Sequence, residues 1–426
     1  MKVREHNTMT RLSYNLCIIA FCLSIASRAI DAFITTPQKS SSTCCVQTNL
    51  LPPSNLLGSI DDASTLLTRS QAITYPLGFL AAFRTGAAIS VINQPQLPKV
   101  NAAVGSTVLR LPTYGTRVRL FYPTTSESLD DANAVMSPYC TDGRQTSDGM
   151  ARLVKFDALG LSFLLAHLAN ASSGCVADGP IDNTSSDLPL LVYSHGYGGN
   201  MDMATYFFRT MASKGIIVAA LEHTDGTASS TVMQDGSERK FNEYLMTGRQ
   251  QLTRRASELL EATDFLPKEL ERTYSTKVGT VMLGGHSYGA PSAIMAANGA
   301  AEDSSIGGLI LHDPALGMGY GMLPPNGAKS RIPSVTYTSD EYNKAKVRYG
   351  DLTLHVRGAF HGNFVDAPLW APSLIMRTLS LLIPAAGPSN PVDVHEQLSE
   401  SASEFIRCKN PASPRVQSGS LFEFIA

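Results

Sequence analysis

The chain has 426 residues, of which 43% are hydrophobic and 16% charged, and its formal net charge is −2. That is length enough for one large domain with a sizeable core plus extensions. A near-neutral balance argues against a nucleic-acid partner, which calls for a basic face; no zinc-type Cys/His cluster, no GxxxxGK phosphate loop and no internal repeat stands out.

The chain opens with Lys2, Arg4 and Arg11, then an apolar run over 16–25 (LCIIAFCLSI), then the small residues Ala26, Ser27 and Ala29. This is the layout of a secretory signal, expected over 1–32; the run is short for a membrane span, and an uncleaved anchor is the alternative. Residues 33–54 are rich in Ser, Thr and Pro and carry no acidic residue. They read as a transit or linker segment, and Asp31-Ala32-Phe33 resembles the Ala-Phe junction of presequences for complex plastids. The expected destination is therefore the secretory pathway, ending in secretion or in such a plastid. An extension over 55–103 follows. Of the seven cysteines, Cys140, Cys175 and Cys408 lie beyond these segments. Cys140 and Cys175 could pair in an oxidising compartment, although unrelated free thiols are the preferred reading. Asn170 and Asn183 stand in glycosylation sequons.

From about Val104 the pattern becomes globular. Residues 107–111 and 117–122 read as two strands joined by a Pro-Thr-Tyr-Gly turn, able to add an antiparallel edge. Residues 126–187 are polar and irregular apart from an apolar helical patch at 159–168, and read as an insert that covers or borders a site. Short apolar runs at 190–193, 216–221, 278–283, 308–311, 334–338 and 352–356 then alternate with helical segments at 203–214, 249–266 and 290–298. That rhythm predicts a mostly parallel sheet with helices on both faces, over 104–383. A C-terminal extension over 384–426 holds one further helix at 394–406, and its last residues read as loosely held.

Gly285-His286-Ser287-Tyr288-Gly289 matches G-x-S-x-G, with an apolar strand leading in and a small-residue helix leading out. A serine there sits on a sharp strand-to-helix turn at the carboxyl edge of the sheet. Its hydroxyl needs a base, and His361 follows the strand at 352–356 closely. His312, His355 and His395 are the competitors. Two carboxylates stand at strand ends, Asp313 and Asp340, and position alone leaves both open. The oxyanion of an acyl-transfer intermediate needs two amides. One falls to Tyr288, after the serine, and the other to Tyr197 in the loop Ser194-His195-Gly196-Tyr197-Gly198-Gly199. His195 reads as support for that loop.

Several segments together resemble the plasma-type (group VII) platelet-activating-factor acetylhydrolases: VRLFYP at 118–123, PLLVYSHGYG at 189–198, ASKGIIVAALEH at 212–223, GHSYG at 285–289, RIP at 331–333, SDEY at 339–342 and GAFHGNF at 358–364. The resemblance spans roughly 104–380. Tyr288 departs from it where the family often has Phe, and the stretch before 104 and the insert match poorly. The resemblance implies an α/β-hydrolase fold with Ser287 as nucleophile, His361 as base, Asp313 rather than Asp340 as acid, and Tyr197 and Tyr288 as oxyanion donors. It implies calcium-independent hydrolysis of short or oxidised sn-2 acyl chains of phospholipids, with no metal or organic cofactor. A broader esterase, lipase or polyesterase on the same fold is one rival reading, and a non-catalytic binding protein is another. A phospholipid substrate implies contact with a lipid surface, for which the apolar segments 77–92, around Arg84, and 159–168 are the candidates.

Overall fold

The computed structural model describes residues 97–131, 133–153, 157, 160, 162, 165–184, 187–242, 248–302, 304–370, 386–408 and 420–425. The expected signal and transit segments and the candidate lipid segment at 77–92 lie outside the described residues.

In chain order the elements are β1 (Val104–Arg110), β2 (Arg117–Pro123), α1 (Ser126–Asp130), β3 (Met136–Pro138), α2 (Arg144–Leu153), a 3₁₀ turn (Ala166–Asn170), β4 (Ser172–Ala177), β5 (Leu188–Ser194), α3 (Thr205–Ala212), β6 (Ile217–Glu222), β7 (Ser230–Val232) and β8 (Glu238–Lys240). Then come α4 (Arg249–Tyr274), β9 (Val278–His286), α5 (Gly289–Gly299), β10 (Ile306–His312), β11 (Ser334–Thr338), α6 (Asp340–Lys344), β12 (Leu352–Val356), α7 (Pro391–Cys408) and β13 (Phe422–Ile425). Among the described residues, eleven strands form one sheet in the order β13-β12-β11-β10-β9-β5-β6-β2-β1-β4-β3. The run from β12 to β6 is parallel, as the alternation of apolar strands and helices predicts. β2 is antiparallel to β6, and β1 to β2.

Alternation along the strands decides which helix covers which face. Val218 and Ala220 of β6 belong to the cluster packed under α3 and α7, which contribute Phe207, Phe208, Met211, Leu398 and Phe405. Ile217, Ala219 and Leu221 join the opposite cluster, under α4 and α5, with Leu259, Leu266, Ala293 and Ile294. α4 runs eight residues past the expected end at Leu266 and carries Pro267 inside it. Proline removes one helical N–H and crowds the preceding turn, yet the apolar stripe goes on through buried Leu270, and its burial holds the last turns.

The insert is more ordered than its polarity suggests. β4 pairs parallel with β1, and β3 pairs antiparallel with β4, so the leading strand pair lies inside the sheet and not at its edge. One buried cation organises this. Arg119 of β2 donates to Asp202 Oδ1 (2.6 Å), the Ser106 and Ser137 hydroxyls, and the carbonyls of Tyr139 and Pro138 (both 2.7 Å). All five donors of the guanidinium are thereby used where no water reaches. Of the segment 159–168, the described Leu165 and Leu168 are buried beside Met150 and Trp370, in a 3₁₀ turn and not on an exposed helical face. They are core. Cys140 and Cys175 are both free and buried, in different apolar clusters, so they do not pair.

The C-terminal segment also departs from expectation. α7 lies in the main core through Val394, Leu398, Ala402 and Phe405, and Phe422 anchors β13 antiparallel to β12, closing that edge of the sheet. Proline density around 384–414 masks this, because the burial is set by partners far away in sequence.

Candidate active site

The motif at 285–289 folds as a sharp elbow between β9 and α5. Ser287 has φ = 55°, a left-handed conformation that costs a non-glycine residue of order 1 kcal/mol or more. The surrounding chain enforces it. The Ser287 amide donates to the His312 carbonyl (3.0 Å), and its carbonyl accepts from Ala290 and Ala315 (3.2 and 3.1 Å). Close approach explains both glycines. A Cβ on Gly285 would sit 2.4 Å from the Gly289 carbonyl group, and one on Gly289 would sit 2.0 Å from the Ser194 carbonyl oxygen. Ser287 is 9% exposed, at the carboxyl edge of the sheet.

Those backbone bonds place Asp313 next to the elbow, because Ser287 grips the chain on either side of it, at His312 and Ala315. Asp313 is itself left-handed, with φ = 48°, and fully buried. Its Oδ1 accepts from the Ser339 amide at 2.8 Å, and its Oδ2 meets His361 Nδ1 at 2.5 Å. A buried carboxylate with both oxygens held in this way fixes the tautomer of the imidazole, leaving Nε2 as the basic atom. The alternative acid, Asp340, faces elsewhere: its Oδ1 takes His355 Nε2 (2.7 Å) and the Gly358 amide (3.0 Å). The other candidate bases are also engaged apart from the elbow. His312 Nδ1 meets the Tyr193 hydroxyl at 2.8 Å, and His395 Nε2 meets the Val365 carbonyl at 3.3 Å.

The His361 loop is clamped from several sides. The His361 amide donates to Glu341 Oε2 (2.9 Å), and Asn363 Oδ1 accepts from Phe360 (2.9 Å) and Gly387 (2.6 Å). The imidazole lies between two rings. Tyr342 stacks on it at 5.1 Å and 10°, and His286 lies 4.5 Å away at 34°. Burial holds His286 well below the ordinary histidine range, so a neutral ring faces His361.

The glycine-rich loop after β5 comes up against the elbow. A Cβ on Gly196 would lie 3.1 Å from Ser287 Cβ, and Gly198 (φ 71°) turns the chain there, donating to the Thr227 carbonyl at 2.8 Å. Tyr197 and Tyr288, the two expected oxyanion residues, have their rings 6.4 Å apart, and Phe241 packs edge-on against Tyr197 at 5.0 Å. Tyr288 precedes the first turn of α5, at the positive end of that helix. Leu153 of α2 packs on Gly198 of this loop. His195 supports it. Its Nδ1 donates to the Gly196 carbonyl (2.7 Å), its Nε2 accepts from the His223 amide (3.4 Å), and burial keeps it well below the ordinary range.

Sequence reasoning did not single out Glu341, Tyr342, Asp225 or Arg255 as parts of this site. One signal could have found Arg255. It is three residues after Leu252 and four before Leu259, a cation on the apolar stripe of α4.

The family model described as platelet-activating factor acetylhydrolase, isoform II, matches residues 91–268, which include the Ser194–Gly199 loop and end before the elbow. The platelet-activating factor acetylhydrolase of Canis lupus familiaris is 31% identical over 153 residues, 34% of this chain and 32% of that protein. That of Bos taurus is 32% identical over 148 residues, 33% of this chain and 31% of that protein. The matched part thus spans about a third of the length of these relatives. Among solved structures, a ferulic acid esterase from Streptomyces cinnamoneus superposes with a TM-score of 0.54 at 19% identity, covering 78% of this chain and all of that one. That likeness establishes the fold. The sheet order, the elbow and the superposition on that esterase give the chain an α/β-hydrolase fold, and over residues 91–268 it is similar to the platelet-activating factor acetylhydrolases.

Proposed function

We propose that this chain is a calcium-independent serine esterase that removes short or oxidised sn-2 acyl chains from phospholipids. Ser287 is the nucleophile, His361 the general base, Asp313 the orienting acid, and the amides of Tyr197 and Tyr288 the oxyanion donors. The reading is carried by one observation: the Asp313–His361 pair (2.5 Å), on the strand end that the Ser287 backbone grips. In the reaction His361 Nε2 takes the Ser287 proton as Oγ bonds to the ester carbonyl carbon. The C=O electron pair moves to oxygen, where the two amides hold it. As the intermediate collapses, the C–O bond to the glycerol breaks and His361 returns the proton to the leaving oxygen. Water then repeats the sequence on the acyl-serine, releasing the fatty acid. No step calls for a metal, which is the ground for calcium independence.

The phospholipid substrate rests on the relatives, and so does lipid-surface contact; residues 77–92 remain its candidate segment, and entry into the secretory pathway the proposed route. The test is fluorophosphonate labelling of the wild type and of Ser287→Ala, with activity on phospholipids of increasing sn-2 chain length in the presence of a chelator. The expected outcome is labelling that disappears in Ser287→Ala, and turnover that survives chelation and falls steeply with chain length. Labelling of a folded Ser287→Ala protein would refute the nucleophile, and activity flat across chain lengths would refute the short-chain substrate.

A further inference from the structure

Outside the triad, the molecule holds a cation whose bonds converge on both halves of the oxyanion site. Arg255 of α4 is fully buried. Its Nε donates to Asp225 Oδ2 at 2.9 Å, and its Nη2 to the Thr227 hydroxyl at 2.6 Å. Its Nη1 donates to the His195 carbonyl at 2.6 Å, one peptide before Gly196 and two residues before Tyr197. The guanidinium carbon also lies 4.8 Å from the centre of the Tyr288 ring. A single planar group therefore touches the backbone of one donor segment and the side chain of the other.

The same helix holds the loop at a second point. Glu258, three residues on, meets His223 Nδ1 at 2.6 Å, and the Ser194 hydroxyl meets His223 Nε2 at 2.7 Å. Ser194, next to the His195 carbonyl, is thus tied to α4 through His223. A buried ion pair is a poor source of stability, since apolar residues of the same volume often do as well or better. What it supplies is direction, because a guanidinium fork bonds only in its own plane. Here the fork fixes the His195 carbonyl in its plane while the same guanidinium lies over the Tyr288 ring, so one side chain ties together the two segments that must present amides to a single oxygen.

The geometry points to Arg255, braced by Asp225, as a positioning residue of the oxyanion hole, holding the Tyr197 and Tyr288 amides in register. This role rests on the serine-esterase reading above. A shift of about 1 Å in such donors costs on the order of 10²-fold in rate, and loss of one donor 10²–10³-fold.

The experiment compares wild type, Arg255→Lys and the apolar double variant Arg255→Met/Asp225→Leu in the full chain. Steady-state kinetics use a soluble short-chain ester, and affinity is measured for a trifluoromethyl ketone, whose serine adduct carries the oxyanion. Thermal melting reports folding. In the double variant kcat is expected to fall about 10²-fold with KM within about twofold, and ketone affinity to fall by the same factor, while melting stays cooperative. Arg255→Lys keeps the charge and loses the fork, so it shows the same pattern in smaller measure; it also serves as the test if the double variant does not fold. Unchanged kcat and ketone affinity in a folded variant would overturn the role of Arg255 alone. Failure of the wild type to take a fluorophosphonate would overturn the esterase reading and this role with it.

Discussion

Asp313→Asn removes one charge and one acceptor at a site where both carboxylate oxygens are committed. The Ser339 amide needs an acceptor at 2.8 Å, so the asparagine oxygen stays there and its NH₂ turns to His361 Nδ1. A donor facing Nδ1 forces the imidazole to carry its proton on Nε2, the atom that must accept the Ser287 proton. The wrong tautomer in a related triad lowers kcat about 10⁴-fold, equivalent to about 5–6 kcal/mol of transition-state stabilisation. Asp340→Asn loses only part of a partly buried pairing with His355 and the Gly358 amide. It is expected to change kcat less than about threefold and stability by about 1 kcal/mol. The assay is kcat on a soluble short-chain ester for both variants, with thermal melting to show that each is folded. If Asp340→Asn proves the more damaging to kcat, the assignment of the acid is wrong and the Asp313–His361 contact is not the catalytic one.

Three further outcomes are expected. Gly289→Ala places a Cβ 2.0 Å from the Ser194 carbonyl oxygen, so the elbow and the loop must separate; activity should be lost and fluorophosphonate labelling slowed, and full activity would contradict the close approach. Tyr342→Leu removes the ring stacked on His361, which should lower kcat roughly 3- to 30-fold at unchanged KM, and an unchanged kcat in a folded variant would contradict it. Burial depresses His195, His223 and His286 well below the ordinary range, His312 to about 3 and His395 to about 4. The unfolded chain therefore binds protons at these sites first, so the stability they contribute is complete above about pH 6.5 and lost as pH falls toward 4. Each costs up to about 1.4 kcal/mol per pH unit in that window. Burial raises Glu222 to about 7 and Asp366 to about 8, and these act in the opposite sense, so the test compares the wild type with His395→Gln in urea unfolding at pH 7, 6 and 5; the variant should lose less stability as pH falls, and equal slopes would contradict the histidine contribution.

The sequence by itself determined the parallel sheet and the elbow, and singled out His361 as the candidate base. Apolar runs of strand length recur between helices, and a period set by backbone geometry is visible in any such run. The two glycines of the elbow are legible for a similar reason, since they answer steric demands within a few residues or across one adjacent strand. The acid stayed ambiguous in the residues alone, because Asp313 and Asp340 both end strands. The resemblance chose Asp313, and the structure brings Asp313 to His361 while giving Asp340 to His355. Only the tertiary structure decided the rest. The order of the insert depends on Arg119 reaching Asp202, 83 positions away, and β13 depends on pairing with β12 across a proline-rich connection. The Arg255 link from α4 to His195 spans 60 positions. Such contacts leave no period in the sequence: a buried polar group is specified by the geometry of all its partners at once, and those partners meet only when the chain is folded.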